Sequence, residues 1–165
     1  MFRLCYILAY KAHIRTVLEY SCAVWDPHQE YVSEKLESVQ KRSARFISSN
    51  YEYEQCSMTR ILNHLNIEPL KHRRTNSRLT LLFKGLNGKA HLPTCQLKKP
   101  MRKSKSNHKE NYNLIRVRTY LYKLKFMPKT IRDWNSILKD IIQKSKSSTD
   151  PVSTFSKRIK TRYNN

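Results

Sequence analysis

The sequence predicts a mainly α fold, a small helical bundle with a short strand and basic arm leading into C-terminal helices. Three observations carry that expectation. Apolar residues recur at helical spacing in four successive segments before residue 88. Two Asp-Pro pairs, Asp26-Pro27 and Asp150-Pro151, supply helix starts, with Asp as cap and Pro at the first helical position. One stretch alone, Tyr120 to Phe126, alternates apolar with polar or basic residues as a strand does. No internal repeat and no long heptad run is visible.

In chain order, the first helix spans about Leu4 to Val24, with Ile7, Tyr10, Ile14, Val17, Leu18 and Val24 in helical period. It has no start signal after Met1, which is how a truncated element reads. A second helix, about Gln29 to Ser48, follows the Asp26-Pro27 start. It shows Val32, Leu36, Val39, Phe46 and Ile47 on one side and Glu34, Glu37, Lys41, Arg42 and Arg45 on the other. Polar Asn50 to Gln55 reads as a loop, and a short third helix covers about Ser57 to Leu65. Ile67-Glu68-Pro69 restarts the chain into a fourth helix reaching Leu86, with Leu79, Leu82, Phe83 and Leu86 as its stripe and Gly88 as the residue after its cap.

Composition changes after Gly88. His91 to Asn113 carries Pro93 and Pro100 and no sustained apolar period, so a linker or flexible arm is expected there. The chain is thus expected to divide into a helical region (1–88), a basic linker (89–119) and a strand-helix-helix region (120–165). In the last of these, Tyr120, Tyr122, Leu124 and Phe126 form the strand. Thr130 with Asp133 reads as a helix cap with its reciprocal acid. Ile131, Trp134, Leu138 and Ile141 line one continuous apolar face, and Trp134 fills a core. Val152, Phe155 and Ile159 define a final helix.

At 165 residues, with 39% apolar and 27% charged, the chain can bury a modest core. Its charge says more: 33 Lys and Arg against 12 Asp and Glu give a net +21. Such an excess repels itself unless a polyanion or acidic partner offsets it, and nucleic acid is the expected partner. The candidate phosphate contacts are Arg73, Arg74, Lys98, Lys99, Arg102, Lys103, Lys105, Arg116, Arg118, Lys123, Lys125 and Arg132. Arg73 and Arg74 sit near a helix start, where cations oppose the dipole, so phosphate contact is expected of them before stability. Trp134 and the tyrosines are candidates for base stacking, with the core reading favoured for Trp134.

Several chemistries find no support. Cys5, Cys22, Cys56 and Cys95 form no C-x-x-C pair, and neither His91 with Cys95 nor Cys56 with His64 has a second tight pair beside it. Neither a disulfide framework nor a zinc site is expected. The four aspartates contain no D-x-D, and Glu52 and Glu54 have no nearby aspartate, so no two-metal site is expected. Gly85 and Gly88 are the two glycines, too few for a phosphate-cradling loop. Met1 to Tyr10 is apolar but short, and neither a signal peptide nor a membrane span is expected. No cofactor, no small-molecule substrate and no catalytic residue is expected of this chain.

The order of short motifs resembles one family. Val17-Leu18-Glu19-Tyr20 with Trp25-Asp26-Pro27 resembles a segment of jockey-like non-LTR (LINE-type) retrotransposon reverse transcriptases. Lys35 to Arg42 with Ala44-Arg45-Phe46 is similar to their next helix, and Leu65, Pro69-Leu70, Arg73-Arg74 and Phe83 to Gly88 to the one after. Phe126 to Ile137 matches their "FfPrTIrdWNsL" signature, and Phe155 with Lys157 their closing segment. The resemblance covers about Tyr6 to Lys160. It implies the thumb and downstream part of an RNA-directed DNA polymerase, whose palm, with its Asp-Asp box and magnesium ions, and whose endonuclease lie outside this chain. No catalytic residue carries over. Implied partners are RNA or DNA and the missing palm and fingers, and the implied location is the nucleus. One departure is that Ile137 to Asp140 continues helically where the family often has proline. The alternatives are a free-standing basic RNA- or DNA-binding helical module and a degenerate retroelement remnant without activity.

Overall fold

The computed structural model describes residues 2–49, 55–92, 97–101, 111–137, 139–148 and 150–164. It is mainly α, as the periodicities require, and no strand occurs among the described residues. Helix α1 is Phe2–Ala9, followed by a π turn Tyr10–Ile14 and then α2 Arg15–Glu19, α3 Cys22–Trp25, α4 Glu30–Ser48, α5 Gln55–His64 and α6 Leu70–Leu86. After an irregular segment come α7 Tyr120–Lys123, α8 Phe126–Asn135, α9 Lys139–Lys146 and α10 Pro151–Asn164. The chain divides into two compact units, Met1–Arg74 and Thr75–Asn165, so the division falls inside α6 and not at the expected residue 88.

The first unit closes over Tyr10, Ala44, Ile47, Met58, Ile61, Leu65 and Ile67. Its register departs from straight helical spacing in two places. The π turn takes five residues per bond, which rotates every later face, and Ser21 (φ 49°) then breaks the helix. Tyr10, Leu18 and Cys22 therefore point inward, while the expected core residues Val17 and Val24 are exposed. In α4 the inward row includes Gln40, Ala44 and Ile47, and Phe46 faces out. Gln40 is tolerated inside because its groups are used. Its carbonyl accepts from the Tyr10 hydroxyl at 2.9 Å, and its amide donates to the Glu68 carbonyl at 3.1 Å.

The expected Asp26-Pro27 helix start is corrected: α4 begins at Glu30 behind extended Gln29. Asp26 is used otherwise, as described below. The cap of α6 comes instead from α4, where the Glu37 carboxylate accepts the Leu70 amide at 3.1 Å. Burial pushes the Glu37 carboxyl above its ordinary value, and the Leu70 hydrogen bond offsets only part of that. Helix α5 ends with Asn66 at φ 52°, where Ile67 donates to Leu62 and Asn66 to Asn63, a Schellman closure. Helix α6 ends the same way on Gly88 (φ 70°), as expected, with Lys89 donating to Lys84. Gly85, one turn earlier, leaves room for the Leu92 side chain to lie against the helix.

The second unit packs Leu79, Leu82, Phe83, Tyr112, Ile131, Trp134, Ile137, Ile142, Phe155 and Ile159 together. At its centre Phe83 stacks on Phe155 (4.4 Å between centroids, 5° between planes) and Trp134 lies 5.6 Å from Phe155. Trp134 is fully buried, which matches the core reading. The surrounding local structure differs from expectation. Tyr120 to Phe126 is not a strand: Tyr120–Lys123 form the short helix α7, capped by the Thr119 hydroxyl, and α8 follows after Leu124 and Lys125. Since α8 starts at Phe126, Thr130 is interior to it and donates its hydroxyl to the Phe126 carbonyl. The Thr130–Asp133 cap is therefore corrected. The helix also does not continue past Asn135. Ser136 donates both its amide and its hydroxyl to the Asp133 carbonyl, and α9 starts afresh at Lys139. Leu138 lies outside the described residues.

Candidate nucleic-acid interface

The basic run leading into α8 is held on a packed base. From Asn111 to Arg132 the sequence contains Arg116, Arg118, Lys123, Lys125, Lys129 and Arg132 and no acid. Its first residues are anchored: Asn111 and Tyr112 are buried, and Ile115 packs against the core. Asn135, at the last position of α8, clasps the Tyr112 backbone. Its carbonyl accepts the Tyr112 amide at 3.1 Å and its amide donates to the Tyr112 carbonyl at 2.8 Å. Asn113 in turn donates to the Lys98 carbonyl at 2.8 Å, tying the two described pieces of the arm together. The flexible linker expected from composition is thus corrected for residues 111 to 115, where buried apolar and polar contacts fix the backbone.

With the backbone fixed, the cations point outward. Lys98, Lys99, Arg116, Arg118, Lys123, Lys125 and Arg132 are all exposed. Tyr120 and Tyr122 are exposed among them, and the Lys125 ammonium sits 5.7 Å from the Tyr122 ring centroid. Arg132 lies in the last turn of α8, where a cation also meets the helix dipole favourably. Its neighbour Asp133 faces the other way and pairs with Arg78 at 2.9 Å. Arg102, Lys103 and Lys105 lie outside the described residues.

Two of the expected contacts, Arg73 and Arg74, are engaged within the chain. Arg73 donates to Glu19 at 2.8 Å, and Arg15 shares the same carboxylate at 3.3 Å. Arg74 is 1% exposed, pairs with Asp26 at 3.1 Å and donates to the Ser33 hydroxyl at 2.8 Å. Neither guanidinium is presented to a ligand. The unfavourable helix dipole is offset by specific acids from α2 and from the residue after α3, which long-range pairing hides from sequence spacing. Asn135, Arg78 and Tyr112 are the reverse case, structural anchors of the interface that carried no local signal.

Among the described residues no group of His, Cys, Asp or Glu is placed to hold a metal ion, and no helix is long and apolar enough to cross a membrane. No protein-family model, curated protein or solved structure matches the chain.

Proposed function

We propose that this chain is the non-catalytic C-terminal part of a non-LTR retrotransposon reverse transcriptase, and that it holds template–primer nucleic acid through backbone phosphates. One observation carries the binding reading: an acid-free run whose cations, apart from half-buried Lys129, are exposed while its backbone is clasped to a core by Asn135. Phosphate contacts from Lys and Arg position a duplex without reading its bases, so binding is sequence-tolerant. Exposed Tyr120 and Tyr122 add stacking surfaces for an unpaired base. The polymerase and endonuclease chemistry and its magnesium belong to the parent protein outside this chain, together with the palm and fingers as partners. Nuclear localisation accords with this reading.

The test is fluorescence anisotropy with a labelled RNA–DNA hybrid over roughly 50 to 200 mM salt. Binding should fall steeply with salt. Replacing Arg116, Arg118, Lys123 and Lys125 by alanine should flatten the log–log slope by about 1 per contact removed. A slope that the four replacements leave unchanged sinks the arm as the interface. A second reading, a free-standing basic helical module, draws on the separate core in each unit. A cooperative thermal transition of the isolated chain would support it over an inactive remnant.

A further inference from the structure

The first unit carries a groove that the nucleic-acid reading leaves unused. It lies between the α1–π-turn segment and the second half of α4 and encloses about 400 Å³. Tyr6 and Phe46 form its two lips, edge to face at 5.2 Å, and they are 43% and 56% exposed. Ile14 and Ile47 line it further in, and Tyr10 forms part of its floor. Its two inner hydroxyls, those of Tyr10 and Ser43, already donate within the fold. Tyr10 donates to Gln40, and Ser43 donates to the Val39 carbonyl at 3.0 Å.

That chemistry narrows the occupant. A nucleobase would bring several edge donors and acceptors against walls that are mostly apolar away from the Tyr6, His13 and Arg42 rim, and each group left unpaired there costs about 1–3 kcal/mol. An aliphatic or aromatic side chain loses nothing there. A bilayer needs a convex apolar face, whereas this surface is concave. Charge narrows it further. His13 and Arg42 stand exposed at the groove. Residues 1–18 and 38–49, which supply every lining residue, contain no Asp or Glu. The lining positions 6, 9, 10, 13 and 14 recur at helical spacing and form one stripe facing α4, and π turns concentrate at functional sites.

We propose that this groove docks an acidic amphipathic helix of a protein partner. An apolar side chain packs beside the Tyr6–Phe46 pair, against Ala9, Ile14 and Ile47, and carboxylates on the helix flanks meet Arg42 and His13. The site lies wholly within the first unit and does not depend on the arm of the second.

The experiment uses the full chain and a labelled synthetic peptide of about five helical turns. Leu and Phe occupy one face of the peptide and Glu the other; a scrambled peptide of equal composition is the control. The patterned peptide should bind at least about tenfold more tightly than the scrambled one. Ala9→Trp, at an exposed position, fills the groove, and Arg42→Glu reverses the rim charge; each should weaken binding about tenfold. Unchanged far-UV circular dichroism shows that both variants fold. Equal binding of the two peptides, or indifference to both variants, means attraction by net charge alone and overturns the proposal. So does a result in which Ala9→Trp abolishes binding of oligo(dT) or of phosphatidylserine vesicles while sparing the peptide. Loss of nucleic-acid binding by the arm variants leaves this result untouched, so the two readings fail separately.

Discussion

Arg74 illustrates how a residue chosen for its charge is used for structure. Its guanidinium is buried against Asp26 and Ser33 in the first unit, so removing it takes an ion-pair partner from a nearly buried carboxylate. Arg74→Met should cost about 3–5 kcal/mol in urea unfolding, and adding Asp26→Leu should recover most of it, because the pair's desolvation disappears with both charges. Equal destabilisation by the single and double variants would show that packing, not pairing, is lost. Asn135 works through two hydrogen bonds. Asn135→Ala removes the side-chain hydrogen bonds to the Tyr112 amide and carbonyl, a loss of up to about 1–3 kcal/mol for each group. The expected signature is faster tryptic cleavage after Arg116 and Arg118, with the helical content kept. An unchanged cleavage rate would mean that the arm is held by Tyr112 and Ile115 packing without the clasp.

At the scale of elements, Glu37 joins α4 to the start of α6, and its raised pKa fixes the sign of a pH effect. Between the ordinary value of 4.5 and the raised folded value, the native state binds more protons than the unfolded chain. Stability contributed by this group is therefore full below pH 4.5 and is lost as pH rises through the folded pKa. Glu37→Gln keeps an acceptor for Leu70 and should flatten that part of the thermal-melting profile; a profile identical to the parent's rules Glu37 out as its source. The same elements show what the sequence could reveal. Periodicity and punctuation found α5, α6 and α10 within a few residues, because Leu79, Leu82 and Phe83, the Gly88 stop and Pro151 act locally. The Trp134 core was legible for the same reason. The alternation from Tyr120 to Phe126 misled, because period two over seven residues also fits a short helix and a turn when most of the side chains are exposed. The first helix misled through its π turn, which no residue type announces. The cations divided likewise: those on the acid-free run stayed exposed, while Arg73 and Arg74 were claimed by Glu19 and Asp26, partners about 50 residues away in sequence.

For the whole molecule the governing quantity is the net charge of +21 on a chain of 165 residues. Most of it falls on the second unit, where 22 Lys and Arg face 4 Asp and Glu, against 11 and 8 in the first, so self-repulsion acts chiefly there, and any agent that neutralises it selectively in the folded state should raise the melting temperature. Simple salt acts by screening and should stabilise the chain up to about physiological strength, where the Debye length is about 8 Å. A nucleic acid held on the exposed run from Arg116 to Arg132 acts differently. It binds the folded arrangement, and at 100 times its Kd contributes about 2.7 kcal/mol. The two mechanisms separate in one thermal-melting series. Added salt should first raise Tm in the absence of ligand, whereas the extra Tm given by a short RNA–DNA hybrid should shrink as the same salt releases it from the phosphate contacts. In the chain lacking the four arm cations, the ligand-free response to salt should remain, weakened in proportion to the smaller charge, while the hybrid's increment should disappear. A hybrid increment that survives both high salt and the loss of those cations would place the nucleic-acid surface elsewhere on the chain.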